Sequence, residues 1–348
     1  MTAAAWRDGW RRVLAAPAIV GSVFVVTLLA SLPLALTMRG AIEAHLGASL
    51  MANQAADGVN WDWWQEFASQ ATGLATTFTP RVIGFGATLD SLSSLIDANA
   101  ETVPVAAAIA TYLLVWIFLS GGVLDRYARH RPTRTHGFFA AAGVFFWRFL
   151  RLGVVAAVVY WFLFAYVHEQ LFDEWYVRAT RDLDVERTAF FWRAGMYGVF
   201  GALLVGANVL FDYAKVRLVV EDRRSALAAL TAALAFIVRN PGQVSGLYAL
   251  NALVFALVIA LWALTAPGAG GAGGSMWWTF AGTQLYVVTR LAMKLQFMAS
   301  QTALFQGRLA HAAYTAAAEP AWPESPAAER IGGPVGVRPS GRSVPSDA

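Results

Sequence analysis

The chain of 348 residues contains no cysteine. Disulfides, thiolate metal sites and cysteine nucleophiles are therefore excluded. Charge is also scarce: only 14% of residues are Asp, Glu, Lys or Arg, against about 25% in an ordinary soluble domain. Histidine is limited to five residues. Four of them (His45, His130, His136 and His311) fall outside the apolar stretches and form no ligand pattern. The fifth, His168, stands with Glu169, Asp173 and Glu174, but without the fixed spacing of a metal site. The P-loop, zinc-protease and nucleophile-elbow motifs are all missing. Gly268-x-Gly270-x-x-Gly273 matches the dinucleotide fingerprint in letters only, because no strand-turn-helix surrounds it. The sequence thus implies no catalytic residues, no metal and no cofactor.

What the chain has instead is apolar length. It is 57% hydrophobic, with a mean hydropathy of +0.51. A run of about 20 apolar residues crosses the hydrocarbon core of a bilayer as a helix. Six stretches meet that length, at about 17–38, 103–121, 153–172, 189–211, 243–265 and 277–300. The expected class is therefore an all-α integral membrane protein with six transmembrane helices. The run from Pro17 to Leu36 is longer than a signal-peptide core and lacks a clean A-x-A-like site, so it reads as a span.

Lys and Arg set the orientation. Arg7, Arg11 and Arg12 precede the first span. Arg126, Arg129, Arg131, Arg134, Arg148 and Arg151 lie between the second and third, and Lys215, Arg217, Arg223, Arg224 and Arg239 between the fourth and fifth. The 39–102 loop has only Arg39 and Arg81. The 173–188 loop carries Arg178, Arg181 and Arg187 among five acids and runs against the trend. The positive-inside rule then places both termini in the cytoplasm. The net charge of +4 belongs to this pattern and to lipid headgroups, not to nucleic acid.

The spans pair into three units. A basic, aromatic segment precedes each odd span: Trp6 to Arg12, Phe145 to Arg151 and Phe236 to Pro241. Trp6, Trp10, Val13 and Pro17 form one helical stripe, with the arginines off it. Phe138, Ala142, Phe145, Phe149 and Leu152 form a second, and Leu227, Leu230, Leu234, Ile237 and Val238 a third. Each reads as an amphipathic elbow helix lying on the inner surface, with Pro17 and Pro241 opening the spans that follow. The even spans end alike, at Val123-Leu-Asp125, Leu210-Phe-Asp212 and Leu304-Phe-Gln306. The expectation is three repeats of elbow and helix pair. Loop 39–102 should form a helical outer cap, with one helix from Pro80 to Ile96 and another around Trp61 to Phe67. Residues 311–348, rich in Pro, Gly, Ser, Ala and Glu, should be disordered.

Arg290 and Lys294 fall within the sixth span. Counted from Trp277, Arg290 sits roughly 20 Å along the helix at 1.5 Å per residue. An ionisable group at that depth costs about 3 kcal/mol and marks a functional position. Thr283, Val287, Arg290, Lys294 and Gln301 share a face, with Asp212, Asn208 and Asp125 as expected partners. The alternative is snorkelling of both cations to the interface with a structural ion pair. Gly195, Gly198, Ala202 and Gly206 line the fourth span and should pack closely against another helix.

The elbow Arg239-Asn-Pro241, and Phe211-Asp-Tyr-Ala-Lys-x-Arg217 at a span exit, resemble a loose group of uncharacterised bacterial six-helix inner-membrane proteins. That group is similar to the membrane domain sometimes fused to glycerophosphodiester phosphodiesterases. The resemblance covers about residues 1–310 and implies a multi-pass protein of the bacterial inner membrane with a lipid-facing role. No phosphodiesterase domain is present, so that activity does not carry over. Three functions remain open. The first is binding or moving a lipid or amphipathic anion. The second is a membrane-embedded enzyme acting on lipid at the outer face through Glu169, Asp173 or acids in the 39–102 cap. The third is a structural or scaffolding subunit with a protein partner or a second copy of the chain.

Overall fold

The computed structural model describes residues 1–47, 49–56, 60–78, 103–129, 134–265 and 274–311. Of these, 92% are helical and none lies in a strand. The elements are α1 (Thr2–Leu14), α2 (Pro17–Gly47), α3 (Ala52–Ala56), α4 (Trp61–Gln70), a 3₁₀ turn (Gly73–Thr77), α5 (Val103–Arg129), α6 (Thr135–Thr180), α7 (Glu186–Val220), α8 (Ala226–Arg239), α9 (Pro241–Thr265) and α10 (Gly274–His311). Five of them, α2, α5, α6, α7 and α9, are long and apolar enough to cross a membrane. This fits an all-α membrane protein. The sixth expected span lies inside α10, whose 38 residues give ample length. Its polar side chains keep it out of the apolar class. Met1–Gln306 forms one compact unit and Gly307–Ala348 a second. His311, where the disordered tail was expected to begin, is the last residue of α10, while 312–348 and the expected helix at 80–96 fall on residues outside those described.

Local chemistry explains the boundaries. Pro17 and Pro241 each open a helix, where a missing N–H costs nothing. Asn60 caps α4 by accepting the Trp63 N–H at 2.9 Å, and Ser225 caps α8 through the Ala228 N–H. Between α7 and α8 the chain turns at Asp222, whose φ of 48° lies in the left-handed region that Asp tolerates better than most residues. Arg148 holds its carboxylate there.

The three expected elbows resolve differently. α1 and α8 are separate helices, each ending just before a proline-initiated span. The second is not an elbow: Phe138 to Leu152 continue into one 46-residue apolar rod, α6. No proline interrupts it. Its stripe of Ala142, Phe145, Phe149 and Leu152 is buried and packs on α5 at Gly121 and Gly122. A Cβ at Gly121 would approach Phe145 to 3.0 Å, and one at Gly122 would approach the Phe138 ring and carbonyl to 2.8 Å. The same helix widens into π-turns at Leu163–His168 and Gln170–Trp175. In α8 the small residues pack inward and much of the leucine stripe is left outward, as a surface-lying helix requires. Ala226, Ala229 and Ala233 face the protein, while Leu227, Leu234 and Val238 are exposed.

The deepest core surrounds the second half of α10. Every residue from Met298 to Phe305 is buried, so this stretch is enclosed on all sides. Polar side chains of α10 tie it to four neighbours. Gln296 Nε2 donates to the Trp6 carbonyl of α1 at 2.8 Å. Ser300 Oγ accepts from Asn251 Nδ2 of α9 at 2.9 Å. Gln301 Nε2 donates to Asp212 of α7 at 3.2 Å. Gln306 Nε2 donates to the Ala128 carbonyl of α5 at 2.8 Å.

α1 docks at this level with the face that its sequence pattern hides. Arg12 was expected off the buried stripe, yet it is 8% exposed and Val13 2%, while Trp6 and Trp10 are half-buried. The Arg12 guanidinium donates to the Tyr127 carbonyl and to Gln306 Oε1, both at 2.8 Å, and pairs with Asp8 at 2.8 Å. Burial lowers its pKa, and the Asp8 carboxylate pulls it back up. The Tyr127 and Ala128 carbonyls belong to the last turn of α5, which has no helical donors left. Arg12 and Gln306 satisfy them, and the cation also complements the negative helix end.

The glycine stripe of α7 fails its expected role. A Cβ at Gly195, Gly198 or Gly206 would meet nothing within 4 Å. The close approach belongs to Gly9 instead, where a Cβ would come to 2.8 Å from the Ser300 Cβ and backbone nitrogen. Gly9→Ala should therefore destabilise the purified protein by about 1–3 kcal/mol, the usual cost of overpacking, despite alanine's better helix propensity. Gly198→Ala should be neutral or slightly stabilising. Thermal melts in detergent check the pair, and equal behaviour of the two variants would contradict the docking of α1 on α10.

Candidate functional site

Arg290 and Lys294 stand one turn apart on α10, above its enclosed half. Lys294 is half-buried. Its ammonium lies 3.7 Å from the centroid of the Trp116 ring and 5.2 Å from that of Tyr112, both on α5. The two rings are nearly parallel, 12° apart, with centroids 6.4 Å from each other. Lys294 also makes a long 3.4 Å contact to the Tyr112 hydroxyl. An ammonium on the face of tryptophan is a favourable cation–π contact, worth about 2 kcal/mol when desolvated.

Arg290 is exposed on the bundle and rests over the Tyr286 ring of its own helix at 5.5 Å. It acts electrostatically on both Tyr112 and Lys294. Among the described residues, no carboxylate lies within ion-pairing distance of Arg290 or Lys294. Both cations are held by aromatic faces, which lower the cost of the charge without cancelling it.

The charge of Asp212 reaches Lys294. Its carboxylate is already engaged, by Lys215 at 2.6 Å and by Gln301 at 3.2 Å. Asn208, one turn earlier on α7, donates to the Tyr248 hydroxyl of α9 at 2.7 Å. The Asp212 charge also acts on the hydroxyls of Tyr160 and Tyr248. The arrangement gathers three cations (Arg290, Lys294 and Lys215), one acid and a rim of phenols and an amide. Its balance favours an anion.

Of the expected site residues, Lys294 is coupled electrostatically to Arg290 and Asp212, and Asn208 contacts Tyr248, on which the Asp212 charge also acts. Asp125 does not join them. It is 4% exposed and pairs with Arg129 on its own helix at 2.7 Å. The shared motif of the second and fourth span exits is thus an intrahelical acid–cation pair, repeated by Asp212 and Lys215. Four contributors escaped sequence reasoning: Trp116, Tyr112, Lys215 and Tyr248. The one available signal was Tyr112 and Trp116 at i, i+4 in a span, which places two aromatic rings on one face.

The other clusters are plainer. His168 packs against Phe172 and Phe200 at centroid distances of 4.5 and 5.2 Å. Glu169 and Asp173 are exposed, and Glu174 pairs with Arg178 at 2.6 Å. Among the described residues no group of His, Asp or Glu is placed to hold a metal ion. Beyond the end of α2, Trp63, Phe67 and Ala75 form a small core. There His45 Nδ1 accepts from the Trp63 indole at 3.0 Å.

Comparison with family models, with curated proteins and with solved structures finds no match for this chain.

Proposed function

We propose that the chain is a six-span protein of the bacterial inner membrane, with both termini in the cytoplasm, that binds an amphipathic anion such as a lipid phosphate headgroup. Binding is the step that would let it move or present that lipid. The observation that carries this reading is the pair Arg290 and Lys294, two basic side chains one turn apart on α10 with no carboxylate partner among the described residues. A structural ion pair would have used one. Snorkelling alone would not explain Lys294, which is turned onto Trp116.

The topology supports the same reading. The cations that count as inner cluster at one end of the spans, where α1 and α8 dock. α8 turns Leu227, Leu234 and Val238 outward, which suits a helix resting at a headgroup boundary. α10 supplies the sixth span because its polar residues are paired within the bundle and need not meet lipid. Two of the three units keep the elbow-and-pair form, and the second has fused its elbow to its span.

Arg290→Leu should lower retention of phosphatidylglycerol by the purified protein by about tenfold, equivalent to ~1.4 kcal/mol, with little change in thermal stability. Native mass spectrometry from detergent measures it, and unchanged retention would remove the anion reading. The absence of cysteine makes topology directly testable. A thiol at Ser225→Cys should react with an impermeant maleimide only in inverted vesicles, and one at Asp182→Cys only in intact cells. The opposite pattern would invert the topology, and reaction of both from one side would exclude the six-span arrangement.

A further inference from the structure

The way Lys294 is held bears on which headgroups the site accepts, and the inference rests on the anion reading above. Two nearly parallel aromatic rings, Tyr112 and Trp116, present their faces in a span. Such a pair is the arrangement that recognises a quaternary ammonium. Here the seat is already filled by the chain's own cation, with Lys294 Nζ 3.7 Å above the Trp116 ring.

We infer that Lys294 plugs this aromatic seat and makes the site selective for net-anionic phosphodiester headgroups over zwitterionic ones. A phosphatidylglycerol-type headgroup brings only its phosphate, which Arg290 and Lys294 both attract. A phosphatidylcholine-type headgroup brings the same phosphate and an ammonium a few ångströms away. That ammonium finds Lys294 on the aromatic seat, with Arg290 adding like charge. Asp212, whose charge reaches Lys294, cannot receive it, because it is engaged by Lys215 and Gln301. Like charges brought together at partly desolvated positions cost more than at a wet surface, so the zwitterion loses what the anion gains. Lys294 is then a specificity residue, and Trp116 and Tyr112 are its positioning residues.

The distinction predicts a gain rather than only a loss. Lys294→Met removes the charge, keeps the side-chain length and leaves both rings in place. The test is native mass spectrometry of the full chain, purified in detergent and incubated with an equimolar mixture of phosphatidylglycerol and phosphatidylcholine of matched acyl chains. The wild type should retain phosphatidylglycerol about tenfold more than phosphatidylcholine, a ratio equivalent to ~1.4 kcal/mol. Lys294→Met should bring the ratio to about one or reverse it by raising phosphatidylcholine retention, within the ~1–2 kcal/mol that an ammonium gains on tryptophan. Adding Trp116→Leu should abolish that gain, and Lys294→Arg should keep the wild-type preference. A preference unchanged in Lys294→Met would overturn the inference, as would an equal loss of both lipids. Arg290→Leu separates the two levels. If it lowers phosphatidylglycerol retention while Lys294→Met leaves selectivity intact, only the plug is wrong. If it changes nothing, the anion site itself is wrong.

Discussion

A helix that carries glutamine, serine and threonine in its apolar half cannot face lipid, because each unpaired polar group in hydrocarbon costs several kcal/mol. α10 is such a helix. Gln296, Ser300, Gln301 and Gln306 each find a partner on a different neighbour, α1, α9, α7 and α5 in turn. These four bonds require the other helices to close around α10, and the enclosed stretch from Met298 to Phe305 follows. Small residues in the same stretch (Ala299, Ser300 and Ala303) let the partners come near enough for the bonds to form. Gly9 does the same from the side of α1. Some polar capacity remains unused: the Gln296 and Asn251 amide oxygens and the Trp6 indole N–H have no partner among the described residues.

The same constraint shapes the candidate site. With α10 fixed at the centre by its lower half, its upper half must carry Arg290 and Lys294 up the bundle beside α5. At that level the neighbours offer aromatic rings and one occupied acid. A cation held by rings keeps its net charge, whereas one held by a carboxylate does not. That difference separates Arg290 and Lys294 from Arg129 and Lys215, which belong to local ion pairs, and from Arg12, which ties a helix end. The chain therefore uses its scarce charges in two ways. Some secure turns and helix ends, and Arg290 and Lys294 rest on aromatic rings instead.

Sequence periodicity read the helices well and their faces poorly. Apolar length located five long helices, and Pro17 and Pro241 marked two of their starts, because proline's constraint is local and independent of neighbours. The second elbow was misread because an aromatic stripe looks the same whether it lies on headgroups or against Gly121 and Gly122. Arg12 was misplaced because amphipathicity assigns arginine to water, and only the exposed carbonyls ending α5 make its burial favourable. The α7 glycines looked like a packing seam, but spacing carries no information about whether a partner stands opposite. At the candidate site, two cations inside an apolar stretch singled out Arg290 and Lys294 as candidates. Trp116 and Tyr112 were hidden among many aromatic residues, since nothing in a sequence records which ring an ammonium will choose.

The central claim is that α10 is the enclosed helix around which the others are bonded, and oxidative cross-linking tests it most directly. Asn251→Cys and Ser300→Cys would place two thiols where the side chains now touch at 2.9 Å, in a chain with no other cysteine. The account predicts a rapid, near-complete intramolecular disulfide in native membranes, and none when Ser300→Cys is paired with Leu253→Cys on the exposed side of α9. Cross-linking of the exposed pair, or failure of the buried one, would contradict it.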